Sequence, residues 1–162
     1  MPFTYKHPHP SVTVDIVVFG IGDEGDNQFY VLLIERGRKG EPFYGCWAIP
    51  GGFVNEDEDL EVAARRELKE ETHAEPKFLE QVKAFGTPGR DPRGHVISVA
   101  YMTVVRCNDV TVKADDDAKA AKWWPVVALP KLAFDHTDIM LEAIRKLERE
   151  GGLEAALRTL TK

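Results

Sequence analysis

The sequence predicts an α+β fold in which a mixed β-sheet lies between helices, as in an αβα sandwich. Short runs rich in β-branched residues alternate with turn residues over much of the chain, which is typical of strands. One internal segment and the C-terminal segment carry apolar residues at helical spacing instead. Since no repeat, low-complexity tract or linker interrupts this order, we expect one sheet covered by an internal helix and a C-terminal helix group.

The first two strands are expected to form a hairpin. Val12 to Ile21 and Phe29 to Glu35 are rich in β-branched and apolar residues, and a glycine- and aspartate-rich turn separates them. A short apolar run at Cys46 to Ile49 stops at Pro50, Gly51 and Gly52, which we expect to form a loop. The remaining predicted strands are Phe78 to Phe85, Val96 to Cys107, Thr111 to Lys113 and Ala121 to Val127.

Helical periodicity begins at Asp59. Leu60, Ala64 and Leu68 recur every four residues and predict a helix of about four turns, which ends before Pro76. A second helix is expected from about His136 to Glu150, and Leu153 to Leu160 continues the pattern. Asp135 is expected to cap this second helix, which favours a structural role for His136 over a catalytic one.

Size and composition indicate one globular domain over residues 1–162. The chain has 43% hydrophobic and 30% charged residues, which is the ordinary globular range. Its net charge of -6 argues against general nucleic-acid binding, because phosphate backbones are held mainly by Lys and Arg. No export signal or membrane-length apolar run is visible, and two cysteines without zinc-ligand spacing suit the reducing cytosol.

The predicted internal helix carries an acidic face. Glu67, Glu70 and Glu71 stand at i, i+3 and i+4, so their carboxylates project from one side. Like charges at this spacing destabilise a bare helix, whereas a divalent cation such as Mg²⁺ or Mn²⁺ stabilises them by taking carboxylate and phosphate oxygens together. The alternative is a solvated acidic face. The metal-site hypothesis gains from the neighbouring glycine pair, whose backbone can approach a ligand, and from Arg66, which can orient a carboxylate.

These residues follow the spacing of a known motif. The match runs from Gly52 over five residues to Glu58, and over seven more to Arg66-Glu67-Leu68-Lys69-Glu70-Glu71-Thr72-His73-Ala74. This stretch resembles the Nudix box at every defined position except His73, where the family pattern has glycine. Because glycine suits a helix end at positive φ better than histidine does, we expect a local backbone adjustment at His73 with the site retained.

The resemblance implies a Nudix αβα sandwich and a metal-dependent hydrolase of a nucleoside diphosphate derivative. The implied metal ligands are the carbonyl of Gly51 and the carboxylates of Glu67, Glu70 and Glu71. Glu58 would support the site, and Arg66 would fix Glu67. The proton of the attacking water requires a carboxylate, for which Glu67, Glu71 and the acidic loop Asp115 to Asp117 are open alternatives. Some Nudix enzymes place a catalytic acid in such a loop, and Asp117 is the preferred residue of the three, with a solvated loop acid as the alternative.

Segments outside the box resemble the ADP-ribose pyrophosphatase branch of the family. They are residues 13–19, 47–53, 89–94 and 132–136, and their order favours ADP-ribose as the substrate, cleaved to AMP and ribose 5-phosphate. Guanidinium groups grip phosphate bidentately and aromatic rings stack on adenine, while a glycine backbone can approach either. The expected substrate contacts are Arg36, Phe43, Trp47, Gly52, Phe53, Arg90 and Arg93. The alternatives are surface arginines and core aromatics.

Two other functions are open. One keeps the chemistry but takes a nucleotide sugar, NADH or an oxidised nucleoside triphosphate. The other is a non-catalytic ADP-ribose sensor, which the departure at His73 keeps open. Repressors of that kind carry a further DNA-binding domain, and we expect no room for one in this chain. The resemblance also implies a homodimer.

Overall fold

One mixed β-sheet forms the centre of the protein. The structure is a computed structural model that describes residues 2–23, 26, 28–113 and 118–160. The strands within these residues are β1 (Ser11–Ile21), β2 (Phe29–Arg36), β3 (Trp47–Ala48), β4 (Gly51–Phe53), β5 (Glu80–Phe85), β6 (Val96–Arg106) and β7 (Ala118–Pro125). The helices are α1 (Leu60–Thr72), α2 (His136–Arg149) and α3 (Gly152–Leu160).

Strand β1 is central in the sheet. The strand order is β3-β2-β1-β6-β5, with β4 also paired to β1 and β7 to β2. The pairing of β1 with β6 is parallel from Ser11 to Ile21, and the other pairings are antiparallel. The predicted hairpin of β1 and β2 is confirmed, with Phe19 opposite Val31. The mixed sheet is therefore as predicted.

Helices cover both faces of β1. Its side chains alternate between the faces, as they must along a strand. On one face, the core residues from the sheet and α1 are Val14, Ile16, Val18, Ala63, Ala64 and Leu68. On the other face, those from the sheet and α2 are Val17, Phe19, Met102, Ile139, Met140 and Ala143. The sandwich is thereby confirmed.

No helix within the described ranges has the length and apolar character needed to span a membrane.

Two local expectations about strands are wrong. Thr111 to Lys113 forms no strand; the Lys113 amide instead donates a hydrogen bond to the carbonyl of Thr72, at 2.9 Å. Gly51 and Gly52, expected in a loop, form β4 together with Phe53, and this strand pairs with β1 so that Gly51 lies opposite Asp15. A Cβ on Gly51 would lie 2.1 Å from the carbonyl oxygen of Val14, so only glycine permits this approach.

Helix α1 begins and ends with recognisable caps. The Asp59 side chain accepts a hydrogen bond from the Glu61 amide at 2.9 Å, which satisfies one free amide of the first turn. His73 ends the helix in the left-handed region, with φ 61° and ψ 8°, and its amide donates to the Lys69 carbonyl. The expected backbone adjustment is therefore wrong, because His73 adopts the conformation that favours glycine.

This left-handed conformation predicts a stability difference between two variants. His73→Gly and His73→Ala both lose whatever contacts the imidazole makes, so their comparison isolates the backbone. Left-handed geometry costs a residue with a Cβ about 1–2 kcal/mol. We predict that His73→Gly has a free energy of unfolding about 1 kcal/mol above that of His73→Ala in urea titrations. Equal stability of the two variants would contradict the left-handed cap.

Candidate active site

The acidic helix is tied to the glycine pair of β4. Apolar residues fix α1 against the sheet, and the Glu71 side chain then extends towards β4. Its Oε2 accepts a hydrogen bond from the Gly51 amide at 3.0 Å. A Cβ on Gly52 would lie 2.4 Å from the carboxyl carbon of Glu67. Two carboxylates of α1 therefore lie directly against the backbone of the glycine pair.

Arg66 connects Glu67 and Glu70 of α1 with Glu58, which precedes the helix. Its Nε and Nη2 donate to the two carboxylate oxygens of Glu58 at 2.7 and 2.8 Å. Its Nη1 donates to Glu67 at 2.6 Å and to Glu70 at 3.3 Å, and Nη2 also reaches the Phe53 carbonyl at 3.0 Å. These bonds to Arg66 lower the pKa of Glu58 to about 2. Arg66 thus binds three carboxylates, and its two bonds to Glu58 fix the guanidinium that holds Glu67 and Glu70.

The acids facing the glycine pair have raised pKa values. Burial raises the pKa of Glu67, and the ion pair with Arg66 opposes this shift. Burial also raises the pKa of Glu71 to about 8, and the negative charges of Glu67 and Asp15 add to the effect. The site therefore concentrates negative charge where water is partly excluded. Among the described residues, no three Asp, Glu, His or Cys side chains are grouped so as to hold a metal ion. Arg66 is bound to Glu67 and Glu70 instead.

An arginine wall, formed by Arg36 and Arg93, faces the acids across a cleft. The Arg36 guanidinium lies 4.9 Å from the centre of the Phe134 ring and donates to Glu41 at 3.2 Å. The Arg93 guanidinium lies 4.9 Å from the Phe53 ring centre and 5.2 Å from that of Phe134. Burial and the nearby charge of Arg93 lower the pKa of Arg36. Two cations are thus held close together opposite the carboxylates.

The cleft has a wide part and a narrow part that share the arginine wall. The wide part, of about 290 Å³, is lined by residues that include Arg36, Glu41, Phe53, Asn55, Glu67 and Glu71. The narrow part, of about 70 Å³, is lined by residues that include Thr13, Asp15, Asp91, Arg93, Phe134 and His136. Both parts include Gly51 and Gly52. Asp117, the loop acid considered from the sequence, lies outside the described residues.

Arg93 also donates to both carboxylate oxygens of Asp91, at 2.7 Å from its Nη2. Arg90 is paired in the same way but is more deeply buried than Arg36 or Arg93. Its Nε and Nη2 donate to both carboxylate oxygens of Asp135 at 2.8 and 2.7 Å, and its side chain is only 5% exposed. Asp135 therefore does not cap α2 through its side chain, and the capping expected from the sequence is wrong. The carboxylate prefers this bidentate pair because a buried guanidinium without a partner costs several kcal/mol, on the order of the penalty for one buried ion.

The three expected aromatic contacts lie in different surroundings. Phe53 lines both parts of the cleft and is 42% exposed. Phe43 packs against the Phe134 ring at a centroid distance of 4.6 Å. Trp47 packs edge-on against Trp124, 5.1 Å away, and belongs to the edge of the core. Phe53 is therefore the ring of these three that borders the cleft directly.

A buried polar network under the glycine pair was missed by reasoning from the sequence. The Ile49 amide donates to Nδ1 of His136 at 3.0 Å, and Nε2 of His136 lies 3.5 Å from Oδ1 of Asp15. The other oxygen of Asp15 accepts a hydrogen bond from Ser98. A signal was present, because Asp15 interrupts an apolar strand, and a buried carboxylate requires partners.

Comparisons with known proteins agree with this architecture. Residues 9–147 match the family model described as NUDIX domain. An ADP-ribose pyrophosphatase of Methanocaldococcus jannaschii is 45% identical over 137 residues, covering 85% of this chain and 75% of that protein. An ADPR-responsive transcriptional repressor, NtrR, of Acinetobacter baylyi is 34% identical over 148 residues. That match covers 89% of this chain and 57% of the repressor.

A solved structure shows the same fold. The NUDIX domain of Shewanella oneidensis NrtR, crystallised with ADP ribose, superposes with a TM-score of 0.78 at 34% identity. The match covers 87% of this chain and 90% of that domain. The motif, the sandwich around β1 and the acidic helix against its glycine pair thus agree with the matched family, and this chain belongs to the Nudix hydrolases.

Proposed function

We propose that this Nudix hydrolase cleaves the diphosphate of ADP-ribose to AMP and ribose 5-phosphate, with Mg²⁺ or Mn²⁺ as its cofactor. The observation that carries the proposal is the cleft with carboxylates of α1 on one wall and Arg36 and Arg93 on the other. A diphosphate carries negative charge that both a cation on the acids and the guanidinium groups can neutralise. The similarity to an ADP-ribose pyrophosphatase and to a domain crystallised with ADP ribose supports the choice of substrate.

The side chains around the glycine pair fit a hard divalent cation. The proposed donors are all oxygens, from the Gly51 carbonyl and the carboxylates of Glu67, Glu70 and Glu71, as Mg²⁺ and Mn²⁺ prefer. Glu67 lies so close to Gly52 that a methyl group there would occupy its place. Burial raises the pKa values of Glu67 and Glu71, and further positive charge beside these carboxylates would offset that effect. A cation would supply that charge.

When bound, the metal would neutralise the diphosphate and lower the pKa of the attacking water. The residues of the chain have separate tasks. We propose that Glu67 or Glu71 accepts the water proton, since both carboxylates face the cleft beside the glycine pair. Arg66 keeps Glu67 in place through a 2.6 Å bond, and Glu58 keeps Arg66 in place. Asp117 stays an alternative proton acceptor predicted from the sequence.

Arg36 and Arg93 are proposed to bind the phosphate oxygens. Both line the shared region of the cleft, where a phosphate would compete with their carboxylate partners, Glu41 for Arg36 and Asp91 for Arg93. Phe53, beside Arg93, offers a partly exposed ring to the adenine. Arg90 is proposed to act on the substrate only through the local structure, since it is bound to both carboxylate oxygens of Asp135 and its side chain is 5% exposed, against 32% for Arg93.

Product analysis tests this function. With Mg²⁺, we predict conversion of ADP-ribose to AMP and ribose 5-phosphate, resolved by chromatography, with kcat/KM above that for NADH, nucleotide sugars and oxidised nucleoside triphosphates. Glu67→Gln and Glu71→Gln should each lower kcat by about 10²-fold or more, because each loses a metal-binding charge or the proton acceptor. Glu61→Gln, on an exposed part of the same helix, is the matched control and should retain activity.

The same experiment separates the proposal from the sensor hypothesis. The repressor relative and the His73 departure from the motif are the observations that favour a sensor. A sensor would bind ADP-ribose in calorimetry without metal-dependent turnover. Full activity of both glutamine variants would instead contradict the assigned roles of the acids.

The glycine pair predicts two different mutational effects. In Gly52→Ala the new methyl group meets the flexible end of Glu67, so the carboxylate moves and the fold is little affected. We predict a loss of activity of about tenfold or more with a near-normal melting temperature. In Gly51→Ala the methyl group meets the Val14 carbonyl, and overpacking against backbone should cost about 1–3 kcal/mol or more of unfolding free energy. Equal melting temperatures for the two variants would contradict this geometry.

A further inference from the structure

Three consecutive residues at the start of α2, the two before it and its first residue, each contact a different part of the cleft. Phe134 contacts the arginine wall, Asp135 binds Arg90, and His136 binds the segment before the glycine pair. Phe134 has φ 50°, which is rare for a bulky side chain and costs conformational energy. Such a cost persists only where surrounding contacts compensate for it. The contacts of this segment therefore warrant a functional explanation.

Phe134 brings the two cations of the arginine wall together. The guanidinium groups of Arg36 and Arg93 lie 4.9 and 5.2 Å from the centre of its ring. Burial and, after it, the nearby charge of Arg93 lower the pKa of Arg36, whereas an aromatic ring attracts a cation over its face. Phe43, which also has a positive φ of 60°, packs on the same ring and supports it. Arg36 also pairs with Glu41 and Arg93 with Asp91. The Phe134 ring is a contact that the two guanidinium groups share.

His136 acts on the other wall of the cleft. Its Nδ1 accepts the hydrogen bond from the Ile49 amide, so its proton resides on Nε2, which faces Asp15. Burial lowers the pKa of His136, which keeps the ring neutral and the acceptor available. Ile49 lies two residues before Gly51, whose amide binds Glu71 at 3.0 Å. A short series of bonds therefore runs from His136 to the acid of α1.

We propose that Phe134 and His136 are positioning residues with divided tasks in the same segment. Phe134 places Arg36 and Arg93 to bind the phosphate groups, and His136 places Gly51 and, through it, Glu71. This inference rests on the proposed function, because the phosphates in question are those of the ADP-ribose diphosphate. Its consequence is that substrate affinity depends on one residue of the segment, whereas metal binding and turnover depend on another only two positions away.

Variants of Phe134 test the first task. Phe134→Leu keeps an apolar side chain but lacks the ring face, so we expect the Kd for ADP-ribose, measured by calorimetry in EDTA, to rise about tenfold. The kcat at saturating substrate should stay within about threefold of wild type. Phe134→Tyr keeps the ring face and should restore the affinity. An unchanged Kd in Phe134→Leu, or no recovery in Phe134→Tyr, overturns this task.

Variants of His136 test the second task. In His136→Asn the side-chain oxygen can accept from the Ile49 amide near the former Nδ1 position, whereas His136→Ala offers no acceptor. We expect His136→Ala to weaken Mn²⁺ binding, followed by electron paramagnetic resonance, and to lower kcat by about tenfold or more. The metal-free Kd for ADP-ribose should stay near wild type. His136→Asn should recover most of the Mn²⁺ affinity, and failure to do so overturns this task.

Controls separate positioning from general destabilisation. Leu141→Ala removes an exposed side chain of α2 and should leave the Kd for ADP-ribose, the Mn²⁺ affinity and kcat unchanged. If His136→Ala does not fold, comparison of His136→Asn with wild type decides, because the proposal requires near-normal Mn²⁺ binding in that variant. Parallel losses of ADP-ribose affinity, Mn²⁺ affinity and melting temperature in both series overturn the division of tasks.

Failure of the proposed function gives a different pattern. Wild-type protein that binds ADP-ribose and Mn²⁺ without hydrolysis contradicts the enzyme proposal, while the Kd and Mn²⁺ comparisons still decide the positioning tasks. Wild-type protein that does not bind ADP-ribose overturns both.

Discussion

The hydrogen bond from the Gly51 amide to Glu71 is the contact on which the rest of the site depends. It joins the acidic helix to the strand that lies opposite Asp15 in β1, the central strand of the sheet. Gly51 must lack a side chain for that strand to approach β1, and Gly52 must lack one for Glu67 to lie beside it. The glycine pair therefore fixes how close the acids of α1 come to the backbone.

The cleft has glutamates of the α1 helix layer on one wall and two arginines on the other. Helix α1 supplies the acids, of which Arg66 binds Glu67 and Glu70 and the Gly51 amide binds Glu71. The opposite wall takes Arg36 from the end of β2 and Arg93 from the loop before β6, and the segment before α2 supports both. A diphosphate could contact the arginine wall directly and the acids of α1 through a bound cation. This arrangement explains why a cation and a diphosphate would stabilise each other in the cleft.

Much of the fold could be predicted from local patterns, whereas contacts between distant residues could not. The strands around Asp15 and the helix of Glu71 follow from periodicity, and the spacing of the acids identified the family. Spacing cannot show that Asp135 binds Arg90, 45 positions away, instead of capping its own helix. It also cannot show that His73 keeps a backbone conformation typical of glycine, because neighbouring contacts decide whether that cost is tolerated.

The central claim is that the carboxylates of α1 gather divalent cations around the diphosphate of ADP-ribose. Diffraction at the manganese absorption edge, from crystals grown with Mn²⁺ and a non-hydrolysable ADP-ribose analogue, tests it most directly. The account predicts anomalous peaks within ligand distance, about 2.0–2.3 Å, of oxygens of Glu67, Glu70 and Glu71, next to the analogue's phosphates. Peaks elsewhere, with Glu67 and Glu70 still bound to Arg66 and Glu71 still bound to the Gly51 amide, would contradict it.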